Sequence, residues 1–532
     1  MTQIGFILIL IFLVACSDRL EESNQTIEAN NATDSKDELI LAIGSEPEDG
    51  FDPTLGWGRY GDPLFQSTLL KYNQDFEIEY DLAESYEISD DGRIWTIKVR
   101  DDAKFSDGET LDANDIVFTF ETAKESASVL DLTNIKEIEA SDDYTVQITL
   151  EEPDSTFIFT LVTTGIVPEH AYGDDYKENP IGSGPYQLVQ WDKGQQVIVE
   201  ANPYYYGEQV PFKKLTFLFL AEDAAFAAAN AGEVDVISAP ASFGNEEIDG
   251  MKLVRLNSVD NRGVMLPYVP SGEQTDDGIP IGNDVTADPA IREAMNIAID
   301  REALVEGVLN GFGTPAYSVA DELPWWNEET RIEDNNLEEA KKIVEKAGWK
   351  TQDNGILAKD GLGASFKLIY PAGDQIRQSL SLAFADLMKP LGINVMTEGA
   401  SWNEIERQMY SEPIMMGWGS HSPIEMYHLF SSSTRGVGYY NANYYANSTV
   451  DDYMNNALRA TTQDEANEWW KKAQWDGETG FSAKGDAPWV WLVNMDHLYF
   501  VNEDLEIGEQ KVQPHGHGWP ITDFILDWRF QE

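Results

Sequence analysis

The chain has 532 residues with 42% apolar and 11% aromatic content, enough for a large buried core and two or three structural domains. Its 94 acidic and 36 basic residues give a formal net charge of −58. Such a charge excludes general affinity for nucleic acid or for anionic membrane surfaces, because their phosphate groups would repel it. It suits either a saline environment, where salt screens the self-repulsion, or a very soluble secreted protein.

An apolar run over residues 4–15 precedes Cys16, the only cysteine in the chain. The run is shorter than the roughly 20 residues that a permanent membrane span needs, and it matches the apolar region of a secretory signal. Leu13-Val14-Ala15-Cys16 resembles the lipobox of bacterial lipoproteins, which implies lipidation of Cys16 after cleavage. We therefore predict a lipoprotein signal peptide over residues 1–16, a flexible polar tether over residues 17–36, and an extracytoplasmic protein anchored to the cell membrane. An uncleaved anchor or a chance apolar run is the alternative.

Beyond the tether, local patterns predict strands first and then strands alternating with helices, as in an α/β domain that buries a mixed sheet. An apolar strand at residues 39–43 comes first. Asp90-Asp91-Gly92 and Asp142-Asp143 fit the turns of two hairpins. Capping residues predict the starts of three helices: Asp112, with a carboxylate three residues on, Asp288, followed by proline, and Asn336, followed by Glu339.

The segment Gly56-Trp57-Gly58-Arg59-Tyr60-Gly61 matches the G-x-G-x-x-G pattern. A dinucleotide site would need this loop to follow a strand directly and to open a helix, and it does neither. The same residues suit a ligand cleft. Trp57 and Tyr60 supply flat apolar faces, Arg59 supplies a fork for a carboxylate, and the glycines let the backbone approach a ligand.

Sequence patterns of common catalytic sites are absent: the chain has no G-x-S-x-G nucleophile elbow, no phosphate-binding loop and no H-E-x-x-H zinc motif. Carboxylate pairs such as Asp101-Asp102 are frequent, but 94 acidic residues produce many pairs by chance, and we interpret them as solvated surface. A single cysteine also leaves no internal disulfide and no cysteine-based zinc site. The chain is therefore predicted not to be an enzyme and to hold no resident cofactor.

The six histidines are few enough to be informative. His515 and His517 are two residues apart, so in an extended segment both rings point the same way and could meet one metal ion. His421 follows Trp418 in a segment rich in glycine and serine. Imidazole together with carboxylate suits a first-row transition metal such as Ni²⁺. Arg377, near the start of an amphipathic run, could clamp a ligand carboxylate. The alternative interpretation makes these histidines ordinary loop residues and Arg377 a surface arginine.

A series of motifs follows the order typical of one family. They are Asp81-Leu82-Ala83-Glu84-Ser85-Tyr86-Glu87, Asp91-Gly92, Trp95-Thr96-Ile97, Phe105-Ser106-Asp107-Gly108-Glu109, Asp115-Ile116-Val117-Phe118, Gly182-Ser183-Gly184-Pro185-Tyr186, Asn202-Pro203-Tyr204, Gly232-Glu233-Val234-Asp235 and Ala347-Gly348-Trp349. With them the chain resembles the peptide- and nickel-binding proteins of ABC importers, which form family 5 of the bacterial extracellular solute-binding proteins. The resemblance covers essentially the whole mature chain.

The resemblance implies an α/β, periplasmic-binding-protein-like fold with mixed sheets, two lobes, a cleft between them and an extra domain inserted in the first lobe. By analogy, the first lobe takes residues 37–72, 187–267 and 495–532, the inserted domain residues 73–186, and the second lobe residues 268–494. Closure would bury a ligand at the lobe interface, where only the closed state makes all the contacts. The implied partners are the permease and ATPase subunits of an ABC importer, and the protein is expected to be a monomer.

The resemblance also bears on the ligand. Peptide-binding members usually place an aspartate soon after a tryptophan of the second lobe, where it pairs with the amino terminus of the peptide. Here Trp418-Gly419-Ser420-His421-Ser422-Pro423 has no acid until Glu425, and a buried ammonium without a carboxylate is costly. We therefore favour nickel or a nickel chelate over a di- or oligopeptide, with sugars, a secreted hydrolase and a lipoprotein without a transport role behind them. The predicted site residues are His421, His515 and His517 for the metal and Trp57, Arg59, Tyr60, Arg377, Trp418 and His421 for the ligand.

Overall fold

The computed structural model describes residues 36–126 and 130–531. The predicted signal peptide, the lipobox at Cys16 and the predicted tether up to residue 35 lie outside the described residues. Within the described part of the chain, every helix is too short or too polar to cross a membrane. Asp37–Glu532 form one compact unit.

The N-terminal third of this unit contains mostly short antiparallel strands. Its strands are β1 (Glu38–Ala42), β2 (Leu70–Tyr72), β3 (Ile78–Tyr80), β4 (Ala83–Ile88), β5 (Ile94–Val99), β6 (Ile135–Asp142) and β7 (Thr145–Leu150), and its helices are α1 (Ala113–Glu125) and α2 (Phe157–Thr163). The predicted box at the start of α1 is confirmed, because Asp112 accepts the N–H of Asn114 (2.7 Å) and Asp115 accepts the N–H of Asp112 (3.0 Å).

Longer strands and the larger helices follow. The middle strands and helix are β8 (Tyr186–Asp192), β9 (Gln196–Ala201), β10 (Lys214–Leu218), α3 (Glu222–Asn230), β11 (Val236–Ala239), β12 (Met251–Leu256), β13 (Asn261–Met265), β14 (Glu273–Gln274) and β15 (Pro280–Ile281). The next elements are α4 (Pro289–Ala298), α5 (Arg301–Leu309), β16 (Gly313–Pro315), α6 (Leu337–Lys346), β17 (Lys350–Thr351), β18 (Leu357–Lys359), β19 (Leu362–Gly363), β20 (Ser365–Pro371), α7 (Gln375–Met388) and β21 (Asn394–Ala400). As predicted, Asp288 and Asn336 cap α4 and α6.

The C-terminal quarter completes both large sheets. Its elements are α8 (Trp402–Glu406), β22 (Ile414–Met416), α9 (Ile424–Phe430), α10 (Ser448–Arg459), α11 (Gln463–Gln474), β23 (Trp489–Met495), β24 (His497–Asn502), β25 (Leu505–Glu506) and β26 (Arg529–Phe530). Short 3₁₀ helices occur at Pro53–Leu55, Glu169–Ala171, Tyr176–Glu178, Ala241–Phe243, Glu328–Thr330, Lys389–Leu391, Ser432–Thr434 and Pro520–Asp527.

The first lobe is built on a seven-stranded sheet with the order β12-β24-β11-β1-β10-β9-β8. The sheet is mixed, since β1 runs parallel to both β10 and β11 while the other neighbours are antiparallel. The predicted N-terminal strand is therefore a central strand. Its continuous apolar run fits this place, because Leu39 and Leu41 are fully buried.

The insert is a four-stranded antiparallel sheet with the order β4-β5-β7-β6, and helix α1 packs against it. The hairpin predicted at Asp90-Asp91-Gly92 joins β4 to β5, and Gly92 has the positive φ of 72° that the turn requires. Along β5 the side chains of Trp95, Ile97 and Val99 are buried, as their alternation predicts. Burial of an aliphatic side chain such as that of Ile97 or Val99 contributes about 2 kcal/mol.

The second lobe is built on a six-stranded sheet with the order β16-β23-β13-β22-β20-β21. Strand β20 is parallel to β21 and to β22, whereas β13 is antiparallel to β22 and β23. Helices α4, α5 and α7 pack on this sheet through buried side chains such as Ile291, Leu304 and Phe384. The protein thus has the predicted α/β, bilobal architecture with mixed sheets, and the exact domain boundaries stay predictions.

Candidate functional site

The two lobes are joined by neighbouring crossings of the chain. The chain leaves the first-lobe sheet after β12 and enters the second-lobe sheet at β13, and it returns between β23 and β24. Residues 257–260 and 495–496, called here the hinge, lie side by side. The N–H of Met495 donates to the carbonyl oxygen of Asp260 (2.9 Å), and the hydroxyl of Ser258 donates to the carbonyl oxygen of Met495.

Asp260 is the most heavily contacted charge of the hinge. Its carboxylate accepts a hydrogen bond from Nη1 of Arg262 (2.5 Å), contacts Nδ1 of His515 and lies 3.6 Å from Nε2 of His497. Burial alone would raise the pKa of Asp260, but the charges of Arg262 and His515 hold it well below its usual range. The carboxylate therefore stays ionised inside the protein, with Arg262 and His515 beside it.

Arg377 lies at the start of α7, where the second lobe meets the hinge. Asp374 caps this helix, accepting the N–H of Arg377 (2.8 Å), and its other oxygen contacts the Arg377 guanidinium. Burial lowers the pKa of Arg377, and the like charge of Arg262 lowers it further. The Nε atoms of both arginines are buried and have no hydrogen-bond partner among the described residues.

The segment after β22 connects the second lobe to the first. Trp418 and Asn261 are joined by two hydrogen bonds, from Trp418 N to Asn261 Oδ1 (3.0 Å) and from Asn261 N to the Trp418 carbonyl (3.1 Å). The carbonyl of Gly419 accepts the N–H of His515 (2.7 Å). The indole Nε1 of Trp418 is buried and, within residues 36–126 and 130–531, it has no partner.

The glycine-rich loop at residues 56–61 places its side chains in different surroundings. The Trp57 ring packs edge-on against Phe51 (4.9 Å) and Trp519 (5.3 Å), and its Nε1 donates to the carbonyl of Pro63, so the half-buried Trp57 packs against the first-lobe core. Arg59 is exposed, with its guanidinium 4.4 Å above the Tyr60 ring. The Arg59 and Tyr60 pair is thus free to face a ligand, whereas the Trp57 ring is occupied by core packing.

The C-terminal histidines lie beside Tyr60. The rings of His515 and His517 are 4.9 Å apart, and the ring of His517 is 5.2 Å from that of Tyr60. Burial lowers the pKa of His517, and the charges of His515, Arg59 and Arg262 act on it too. The two rings are close, as predicted, but the segment bends here and is not extended, since the N–H of His517 donates to the carbonyl oxygen of His515 (2.6 Å). We call Arg59, Asp260, Arg262, Arg377, His515 and His517 the interlobe charge cluster.

His421 packs against aromatic side chains of the first half of the chain. Its half-buried ring contacts Phe76 (4.8 Å) and Tyr72 (6.4 Å), and burial holds its pKa well below the usual value. Its Nε2 has no partner in the described part of the chain. Across the described residues, no group of three or more His, Cys, Asp or Glu side chains is arranged to hold a metal ion.

Asp260, Asn261 and Arg262 were not among the predicted site residues, and Glu425, seven positions after Trp418, was not expected to lie beside it. The signal for the first three was a run of polar residues, Asp260-Asn261-Arg262, directly before the apolar part of β13. Glu425 lies in the first turn of α9 and accepts the backbone N–H groups of Gly419 (3.2 Å) and Ser420 (3.1 Å). The structure therefore does place an acid beside Trp418.

Residues 77–441 match the model of bacterial extracellular solute-binding proteins, family 5. The chain belongs to this family. Its relatives include protein XP55 of Streptomyces lividans, 34% identical over 88% of this chain and 86% of XP55. The oligopeptide-binding protein AppA of Bacillus subtilis is 29% identical over 84% of this chain and 85% of AppA.

Solved structures show the same bilobal fold. NikZ from Campylobacter jejuni in complex with Ni(L-His) has a TM-score of 0.74 at 24% identity, with 93% of this chain and 99% of NikZ covered. AppA from Bacillus subtilis in complex with a nonapeptide has a TM-score of 0.68 at 25% identity, with 94% of this chain and 99% of AppA covered. Proteins of this family bind solutes outside the cytoplasm for the permease and ATPase subunits of ABC importers.

Proposed function

We propose that the protein captures a small solute with at least one carboxylate between its lobes and delivers it to an ABC permease. The supporting observation is a set of three buried donors without partners in the described residues: Nε of Arg262, Nε of Arg377 and Nε1 of Trp418. A buried donor left unsatisfied costs about 1–3 kcal/mol. Carboxylate oxygens of a ligand would satisfy such donors, and arginine binds carboxylates in a forked geometry.

Charge supports the same conclusion. The chain carries a net charge of −58, yet the three arginines of the interlobe charge cluster outnumber Asp260 and Asp374, the two carboxylates that pair with them. A local cationic site on an anionic protein favours anionic solutes, because the field at the site differs from that of the surrounding surface. Arg59 and His517 come from the first lobe and Arg377 from the second, so a ligand that touches all three would be buried by closure.

A nickel chelate is the first candidate ligand. His515 contacts Asp260 through Nδ1, which leaves Nε2 as the nitrogen for a metal. Histidines that bind metals commonly have a carboxylate on their other nitrogen, and that carboxylate orients the ring. His517 lies beside it. Since no group of three metal-binding side chains occurs in the described chain, the remaining donors would come from the chelating molecule. Metal contact by His421 stays a prediction.

A short peptide is the second candidate. Glu425 lies beside Trp418, although no acid follows Trp418 closely in the sequence. The charge of Arg59, in the first lobe, acts on the Glu425 carboxylate. This weakens the argument against a ligand with an amino terminus. The relative AppA, 29% identical, is an oligopeptide-binding protein.

Calorimetry of the metal-stripped protein separates these candidates. We expect binding of Ni²⁺ with L-histidine at one site and weaker binding of Ni²⁺ alone, because the chelate adds carboxylates for the arginines. Di- and tripeptides are titrated in parallel. Binding of peptides without binding of the chelate would replace the first candidate by the second, and no binding of either would contradict the carboxylate proposal.

The anchor is a separate proposal. We propose that Cys16 is lipidated and that residues 17–36 tether the folded unit to the membrane. The mass of the mature N-terminus reports lipidation, and Cys16→Ser should release the protein from the membrane fraction. Retention of Cys16→Ser in that fraction would contradict a lipid anchor on this residue.

A further inference from the structure

Glu425 holds the backbone beside Trp418. It lies in the first turn of α9 with 8% of its surface exposed. One carboxylate oxygen accepts the N–H of Gly419 (3.2 Å) and the other accepts the N–H of Ser420 (3.1 Å). Both acceptors of a buried acid are therefore used to hold one short stretch of chain, which helps to compensate for the cost of its burial.

That stretch touches the hinge and the first lobe on its other side. The carbonyl of Gly419 accepts the N–H of His515 (2.7 Å). A Cβ atom at Gly419 would lie 2.4 Å from the carbonyl oxygen of Val259, so only glycine allows this approach to the hinge. Residues 418–420 are thus held between Glu425 of the second lobe and the loop that carries His515.

We propose that Glu425 is a positioning residue, whose ionised carboxylate holds residues 418–420 in the geometry that places Trp418 and His515 for ligand binding. This inference rests on the proposed capture of a ligand between the lobes. Glu425 acts through the backbone of its neighbours and needs no contact with the ligand.

The charge state of Glu425 decides how many of these hydrogen bonds it makes. As a carboxylate it accepts both N–H groups, whereas the acid form presents one O–H donor to an N–H donor. Burial raises the pKa of Glu425 to about 7, against the opposing charge of Arg59. Tyr440 also interacts with the charge of Glu425, and His428 of the same helix stacks on the Tyr440 ring at 4.1 Å. Ligand affinity should therefore fall as pH decreases from 8 to 6.

Glu425→Gln tests the proposal with nearly unchanged shape, and Glu404→Gln is the matched control. Glu404 also accepts a backbone N–H, that of Ser401 (2.9 Å), but it is exposed at the start of α8. Amide hydrogen exchange followed by mass spectrometry reports on the full-length protein without any ligand. In Glu425→Gln we expect exchange at least tenfold faster in residues 417–422 and in residues 513–517, and no change there in Glu404→Gln.

Ligand affinity gives the second measurement, with nickel–L-histidine and trialanine as probes at pH 6, 7 and 8. For a probe that binds, Glu425→Gln should bind about tenfold more weakly than the wild type at pH 8. Between pH 8 and pH 6, the affinity of the wild type should fall at least threefold more than that of Glu425→Gln. The same decrease in pH should accelerate exchange in residues 513–517 of the wild type, after correction for intrinsic rates, and this comparison needs no variant.

The exchange experiment tests the positioning role, and the affinity experiment also tests the proposed function. Unchanged exchange in residues 513–517 of Glu425→Gln would overturn the positioning role, and so would identical pH profiles of affinity for the variant and the wild type. If neither probe binds the wild type, the proposed function fails, while the exchange experiment still decides whether Glu425 holds the His515 loop.

Discussion

Two Asp–Arg pairs in this protein differ mainly in burial, and their comparison gives a quantitative prediction. Asp260 and Arg262 are two residues apart with an O···N distance of 2.5 Å, and so are Arg100 and Asp102. The side chains of the first pair are 4% and 8% exposed, whereas that of Asp102 is 61% exposed. Removing one partner of a buried pair costs about 3–5 kcal/mol, because the other charge is left buried and unpaired. An exposed pair contributes about 0–1 kcal/mol.

We therefore expect Asp260→Asn to lower the free energy of unfolding by about 3–5 kcal/mol and Asp102→Asn to lower it by less than about 1 kcal/mol. Urea unfolding followed by circular dichroism at pH 7 measures both. Because the folded-state pKa of Asp260 lies well below 3.8, its stabilisation is present above that pH and is lost as pH falls towards the folded-state value. The difference between wild type and Asp260→Asn should therefore shrink on acidification. Equal effects of the two substitutions at pH 7 would refute this reasoning.

Other substitutions test the site and the backbone. Arg377→Ala should weaken binding of the preferred ligand about thirtyfold, since a charge-assisted hydrogen bond is worth about 2 kcal/mol, and the exposed Arg459→Ala should leave calorimetric affinity unchanged. Gly419→Ala should destabilise the fold by at least about 2 kcal/mol, because its Cβ would collide with Val259. Gly307→Ala, in the middle of α5 with open space around it, should instead stabilise by about 1 kcal/mol in urea unfolding. Opposite signs at either glycine would contradict these assignments.

The helix starts at Asp112, Asp288 and Asn336 could be predicted because a cap depends on residues two or three positions away. The hairpin at Asp90-Asp91-Gly92 could be predicted for the same reason, because its turn depends only on neighbouring residues. Such features need no knowledge of the rest of the fold. The resemblance to family 5 supplied the arrangement of lobes, which local patterns could not give.

The site was harder to predict because its contacts join distant parts of the chain. Trp57 lies in a loop whose residue types suit a ligand cleft, yet its ring packs against Trp519, 462 positions away along the chain. Asp260 meets His515 only because two chain crossings and the C-terminal loop converge at the hinge. Glu425 is seven positions from Trp418 along the sequence, but the turn into α9 brings its carboxylate back to Gly419.

The pairing of the first-lobe sheet also constrains the order in which the protein can assemble. Strand β1 is bordered by β10 and β11, and β11 in turn pairs with β24, which begins at His497. Because the chain is made from its N-terminus, the edge of β11 that pairs with β24 stays unpaired until nearly the whole chain has been made. The four-stranded sheet of the insert, complete by Leu150, has no such delay. Non-local pairing of this kind is slow and exposes strand edges, so the first lobe is the part of the molecule that most needs protection from aggregation before it folds.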